Sequence, residues 1–196
     1  FGDGFARAFD ITYTDKNNQQ VYPHQTSWGL STRVIGGLIM THGDNNGLVL
    51  PPAVAPIQVV IVPAAQHKEG VLEAANAVKE RLKKFCRVKL DDSDNSAGWK
   101  FAEYEMKGVP LRLEIGPRDI AQGQCVLVRR DSREKLTISL DDLEVEVPRA
   151  LEAVRSSLYQ KALANREHRT FTALTMEELV ELAATKNGFI KAMWCG

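Results

Sequence analysis

Hydrophobic and polar positions change their period several times along the chain, and each change predicts an element. In FARAFDITYT (5–14) the residues alternate, with Phe9, Ile11 and Tyr13 on one face, which predicts a strand. DKNNQQ (15–20) is a polar turn and VYPHQTSW returns from it, so the opening is expected to form a hairpin. VIGGLIM (34–40) is apolar, and its two glycines fit close packing in a helix or backbone approach in a strand. HGDNNG (42–47) reads as a loop. In LVLPPAVAP (48–56), Pro51, Pro52 and Pro56 block a helix and favour an extended connector, where a domain boundary is expected.

Beyond it the pattern becomes that of a layered α/β domain. IQVVIVP (57–63) is apolar throughout, as a strand covered on both faces must be. Val71, Ala75, Val78, Leu82 and Phe85 make one helical stripe, and RVKLDD (87–92) gives the next strand of a βαβ unit. SAGWKFAEYEMKG (96–108) is expected to be helical, and VPLRLEI (109–115) alternates, with Val109, Leu111, Leu113 and Ile115 on one side. QCVLVRRD and KLTISL form a hairpin across DSRE, completing a mixed sheet. A helix is expected from about Arg149 to Arg166, with Pro148 in its first turn. Thr175 and Glu178 form a capping box for another helix, with Gly188 as its stop, and FIKAMWCG begins a strand.

Composition narrows the function classes. With 44% hydrophobic residues, 196 residues can build a real core. Twenty-five basic residues balance 25 acidic ones, so any nucleic acid must be held by local clusters and shape rather than bulk charge. Cys86, Cys125 and Cys195 are odd in number and widely spaced, which argues against a disulfide framework and for a reduced, cytoplasmic compartment. No run of about twenty apolar residues exists to span a membrane. The first and last residues fall inside patterns already under way, so the chain is expected to be part of a longer polypeptide.

Two stretches carry candidate chemistry. QTSWGLSTRVIGG surrounds Arg33 with glycines and hydroxyl groups, including Ser31 and Thr32. A guanidinium so placed suits a bidentate phosphate clamp, but it also fits a surface arginine after a turn with Trp28 as core filler. GWKFAEYEMKGVPLRLEIGPRD (98–119) sets Phe101, Glu105, Arg112, Arg118 and Asp119 around a helix, a strand and a turn. Rings stack on unpaired bases while carboxylates and guanidiniums read base edges, so the mixture suits single-stranded RNA as well as an amphipathic helix on a strand. KERLKK and RRDSREK are solvated faces or phosphate contacts. His24 and His42 stand alone, without ligand spacing, and no P-loop, nucleophile elbow or metalloprotease motif occurs.

Both stretches, with VIGGLIMTHGDNNGLVLPPAVAPIQVVIVP between them, resemble the prolyl-tRNA synthetases. The form resembled is the archaeal and eukaryote-like one with a C-terminal extension, and the likeness runs from FARAFDI to WCG. It implies an α/β chain: the end of a class II antiparallel catalytic sheet (1–50), a linker (51–56), an anticodon-binding domain with a mixed sheet (57–147) and a partial α+β C-terminal domain of zinc-binding type (148–196). It also implies ATP-dependent activation of proline to prolyl-adenylate and its transfer to tRNA(Pro) in the cytoplasm, with ATP and Mg2+ as substrate and a homodimer at full length.

In that family Arg33 would end the third class II motif, meeting the γ-phosphate as the catalytic arginine, with Ser31 beside it in the ATP site. Phe101, Glu105, Arg112, Arg118 and Asp119 would meet the two guanines shared by proline anticodons, Arg118 standing where some relatives carry lysine. Cys195 would be the first of four zinc cysteines. The first two class II motifs are absent, so these residues alone are expected to be inactive, and a single terminal cysteine completes no zinc site. A non-catalytic tRNA anticodon-binding module is the alternative, and a small-molecule-binding α/β protein a more distant one.

Overall fold

A computed structural model describes residues 1–194, and Cys195 lies outside the described residues. The chain divides into two units, Phe1–Gly37 and a second beginning at Leu38. In the first, Gly4–Ala8 is a short helix, α1, where alternation predicts a strand. The physical reason is local. Ala6 is the buried residue of that helix, an Asp3–Arg7 ion pair staples one turn, and Asp10 adopts a left-handed conformation that ends any extended run. Phe9, Ile11 and Tyr13 are exposed, so their alternation marks no buried face. The hairpin itself is present: β1 (Tyr13–Thr14) pairs antiparallel with β2 (Gln20–Val21). Asp15 tightens its turn by accepting from the amides of Asn17 and Gln19.

VIGGLIM is helical, within α2 (Arg33–His42). The following segment, Gly47 to Leu50, joins the second unit: Leu48 and Leu50 donate backbone hydrogen bonds to Met106 and Gly108. Farther on, the Arg87 side chain ties down Pro52, Ala53 and Ala55 by their carbonyls.

A five-stranded sheet organises the second unit, built, in the order in which the strands lie side by side, from β4 (Val88–Leu90), β3 (Val59–Pro63), β5 (Leu111–Ile115), β6 (Gln124–Arg129) and β7 (Lys135–Ser139). β3 pairs parallel with β4 and β5, while β5, β6 and β7 are antiparallel, so the sheet is mixed as expected. Every β3 residue is buried, because helices cover both faces. On one face α3 (Val71–Leu82) and α6 (Leu143–His168) bury Ala75, Val78, Leu82, Val147 and Val154 against Val59, Ile61, Leu111 and Leu113. On the other, α4 (Ala97–Met106) packs Tyr104 on Val60 and Val62. A fully buried side chain of this kind contributes roughly 1.5–3 kcal/mol.

Several boundaries differ from the sequence reading. Phe85 lies beyond the end of α3 and is partly exposed. Val109 joins the α4 side instead of following Leu111 and Leu113, since Pro110 separates it from the strand. α6 begins at Leu143, placing Pro148 inside it, because Leu143, Val147 and Ala150 continue the buried stripe upstream of the proline. A short helix, α5 (Pro117–Ala121), replaces the turn expected after β5. The chain then forms β8 (Thr170–Thr172), α7 (Met176–Thr185) and β9 (Phe189–Lys191), with β8 and β9 parallel. Thr175 caps α7 through the Glu178 amide, but the Glu178 carboxylate reaches back to Leu174 rather than to Thr175. Gly188 is not the stop of α7: it lies against the Arg169 backbone, where a Cβ would come within 2.1 Å of the carbonyl oxygen.

Candidate nucleic-acid interface

Strand register fixes which side chains share the α4 face. Val60 lies opposite Arg112, Arg112 opposite Val128, and Val128 opposite Lys135. A parallel row runs through Val62, Glu114, Val126 and Thr137. The face therefore turns from apolar under α4 to polar on β5 and β7.

α4 is set firmly on this sheet. The Ser96 hydroxyl caps it at the Trp99 amide, and Lys100 and Tyr104, four residues apart, are its buried side chains. Lys100 donates to the Gln66 side chain and to the Asp91 carbonyl, both at 3.0 Å, with the Asp91 carboxylate at 3.7 Å. Burial pushes the Tyr104 hydroxyl up to about 12, reinforced by its hydrogen bond to Asp91. For Asp91 burial acts upward, yet Ser93, Tyr104 and Lys100 together outweigh it and hold the carboxyl below its ordinary value. This anchoring turns the next residues round the helix, Phe101 and Glu105, toward β5.

Phe101 covers Arg112, whose guanidinium carbon lies 4.0 Å from the ring centroid. On its other side Arg112 donates to Glu114 at 2.9 Å. Glu105 faces a cavity of about 210 Å³ bordered by Val60, Arg112, Val128, Arg133 and Lys135. Its carboxylate pairs with Arg133 at 3.3 Å, and its backbone carbonyl accepts from Arg130 at 2.8 Å. Arg130 is 6% exposed and clasps Asp44 with two further bonds at 2.7 and 2.8 Å.

Phe101, Glu105 and Arg112 thus converge. Arg118 and Asp119 are placed on α5, beyond the end of β5. Asp119 accepts from the Gly116 amide at 2.9 Å and so caps α5, while Arg118 is exposed. Sequence reasoning did not single out Lys100, Asp44 or Arg130, whose spacing in the chain carries no motif. In the first unit Ser31 and Arg33 stand together at the start of α2, where the Ser31 hydroxyl lies 3.4 Å from the Arg33 amide. Both are exposed, and Trp28, read as a core filler, is 96% exposed. Among the described residues no group of three or more His, Cys, Asp or Glu side chains has the arrangement of a metal site. The zinc reading of Cys195 falls outside them. No described helix is long and apolar enough to cross a membrane.

Residues 58–149, which contain the mixed sheet and α4, match the anticodon binding domain family. The relatives narrow that class. All 196 residues align with the proline–tRNA ligase of Ruminiclostridium cellulolyticum at 61% identity, with that of Clostridium novyi at 58%, and with proline–tRNA ligase 2 of Bacillus anthracis at 58%. Along its whole length the chain is similar to these proline–tRNA ligases, and it spans 39–41% of the length of the three.

Proposed function

We propose that this chain reads the anticodon of tRNA(Pro) and contributes an ATP contact to a proline–tRNA ligase. The Phe101–Arg112 stack, with Glu105 across the adjacent cavity, carries the reading. A ring and a guanidinium offer a base two planar surfaces, and a carboxylate accepts the N1 and N2 hydrogens that only guanine presents together. Arg118 and Asp119 extend the contact past the end of β5. In the complete enzyme Arg33, with Ser31 beside it, would bind the polyphosphate of ATP, carried with Mg2+, while proline's carboxylate attacks the α-phosphate. A homodimer in the cytoplasm belongs to the same proposal.

The test is binding of an anticodon stem-loop RNA with both guanines, beside one with adenines in their place. The guanine RNA is expected to bind roughly tenfold tighter or more, a preference that Phe101→Ala and Glu105→Gln each reduce. Equal binding of the two RNAs by the unaltered protein would refute guanine reading by this face.

A further inference from the structure

The basic residues of RRDSREK divide into two kinds. Arg129 is held by Asp131 at 2.7 Å and by Glu134 at 3.5 Å, and Arg130 is clasped by Asp44. Both are structural. Arg133 and Lys135 are placed differently. Arg133 ends the β6–β7 turn in a left-handed conformation, φ +61°, with its amide donating to the Arg129 carbonyl. From there its side chain, 60% exposed, reaches back over the cavity to Glu105. Lys135 opens β7 opposite Val128, in the row that contains Arg112, and is exposed without an ion pair among the described residues. At the other end of that row Lys89, opposite Val60, is exposed and sits 5.5 Å from the Tyr104 ring.

We propose that Arg133 and Lys135 bind backbone phosphates of the RNA strand lying on this face, Arg133 exchanging Glu105 for a phosphate as the strand docks. The inference rests on the anticodon reading above and adds to it the residues that supply affinity without sequence information. A partly exposed ion pair is weak, whereas a phosphate offers a guanidinium charge-assisted, bidentate bonding. The exchange also releases the Glu105 carboxylate, whose acceptor oxygens are then available to a base edge. Because the molecule as a whole carries no net charge, attraction for a polyanion has to arise from such local cations.

The two readings separate in one experiment. The unaltered protein, Arg133→Ala, Arg133→Lys, Lys135→Ala and Phe101→Ala are titrated with the guanine and adenine stem-loops between about 50 and 200 mM salt. Arg133→Ala and Lys135→Ala should each weaken both RNAs by the same factor, roughly five- to tenfold, and lower the slope of log K against log salt by about 0.7. Arg133→Lys should restore the slope, which a folding defect would not allow. Phe101→Ala should lose the guanine preference and keep the slope. Unchanged slopes in both alanine variants, or a loss confined to the guanine RNA, would overturn the phosphate site. Reduced slopes without any guanine preference in the unaltered protein would leave that site standing and refute the base reading alone.

Discussion

At the scale of single residues, this domain is governed by a few charges placed where water is scarce. Asp44 and Arg130 are 86 positions apart, and their pairing secures the Glu105 backbone, since the same guanidinium donates to the Glu105 carbonyl. The Arg130 hydrogen bonds hold the Asp44 carboxyl well below the usual range, with help from the Asn46 amide and against the effect of burial. A carboxyl lowered in the folded state gives stability that is complete above the unfolded value of about 4 and declines as pH falls below it. Asp44→Asn should therefore cost about 2–3 kcal/mol at pH 7, less than for a fully buried pair because Asp44 is partly exposed. Measured by urea denaturation, the gap to the unaltered protein should narrow below about pH 4; a gap that stays constant would assign the stability elsewhere. Neither residue was legible in the sequence, because a pairing across the sheet leaves no spacing to read. The meeting of Phe101 and Arg112 was legible, since an aromatic on a helix and an arginine on the polar side of the next strand lie close in sequence. The thiols fit the same rule of environment: burial pushes Cys86 up to about 11 and Cys125 up to about 12, so both are poor nucleophiles near neutral pH.

At the scale of elements, β3 and α3 were readable because each carries an apolar run or stripe that tertiary packing rewards, and β5 because its apolar residues alternate. α1 was misread because alternation over exposed positions mimics a strand, and α6 because a proline looks like a helix start even when buried residues continue upstream of it. Gly188 illustrates the limit most sharply. Its place after a helix suggests a cap, yet it is glycine because the Arg169 backbone passes too close for any Cβ. The β8–β9 pairing depends on that approach through the Phe189 amide to the Arg169 carbonyl and the Ala173 amide to the Lys191 carbonyl. Gly188→Ala should unhook β9 from β8 while the main sheet stays folded. In native-state hydrogen exchange, protection at Ala173 and Phe189 should fall by at least tenfold, with amides of β3 and β5 unchanged. A uniform loss of protection would show that β8 and β9 are part of the global folding unit.

For the whole molecule, zero net charge is the governing fact. No general field draws in a polyanion, so both proposed anion contacts, RNA on the α4 face and nucleotide at the start of α2, must be built from individual cationic side chains. The sequence divides the chain at its prolines, whereas the compact units divide at Gly37, because Leu48 and Leu50 bond to Met106 and Gly108 and the Arg87 side chain holds the carbonyls of the proline segment. That difference was invisible in composition, since it rests on backbone hydrogen bonds to distant residues. Arg33 opens α2 in an exposed position with no ion pair among the described residues, and Ser31 and Thr32 stand beside it. A guanidinium held against a phosphate accelerates a reaction when negative charge grows on the group it touches, as it does on departing pyrophosphate. In a full-length proline–tRNA ligase containing these residues, Arg33→Ala should slow proline-dependent pyrophosphate exchange by about 10²–10³. Binding of the guanine stem-loop should remain as in the unaltered enzyme, because Phe101, Glu105 and Arg112 are untouched. Exchange at the normal rate would remove Arg33 from the nucleotide site, whereas loss of RNA binding as well would mean that the substitution disturbs folding rather than phosphate contact.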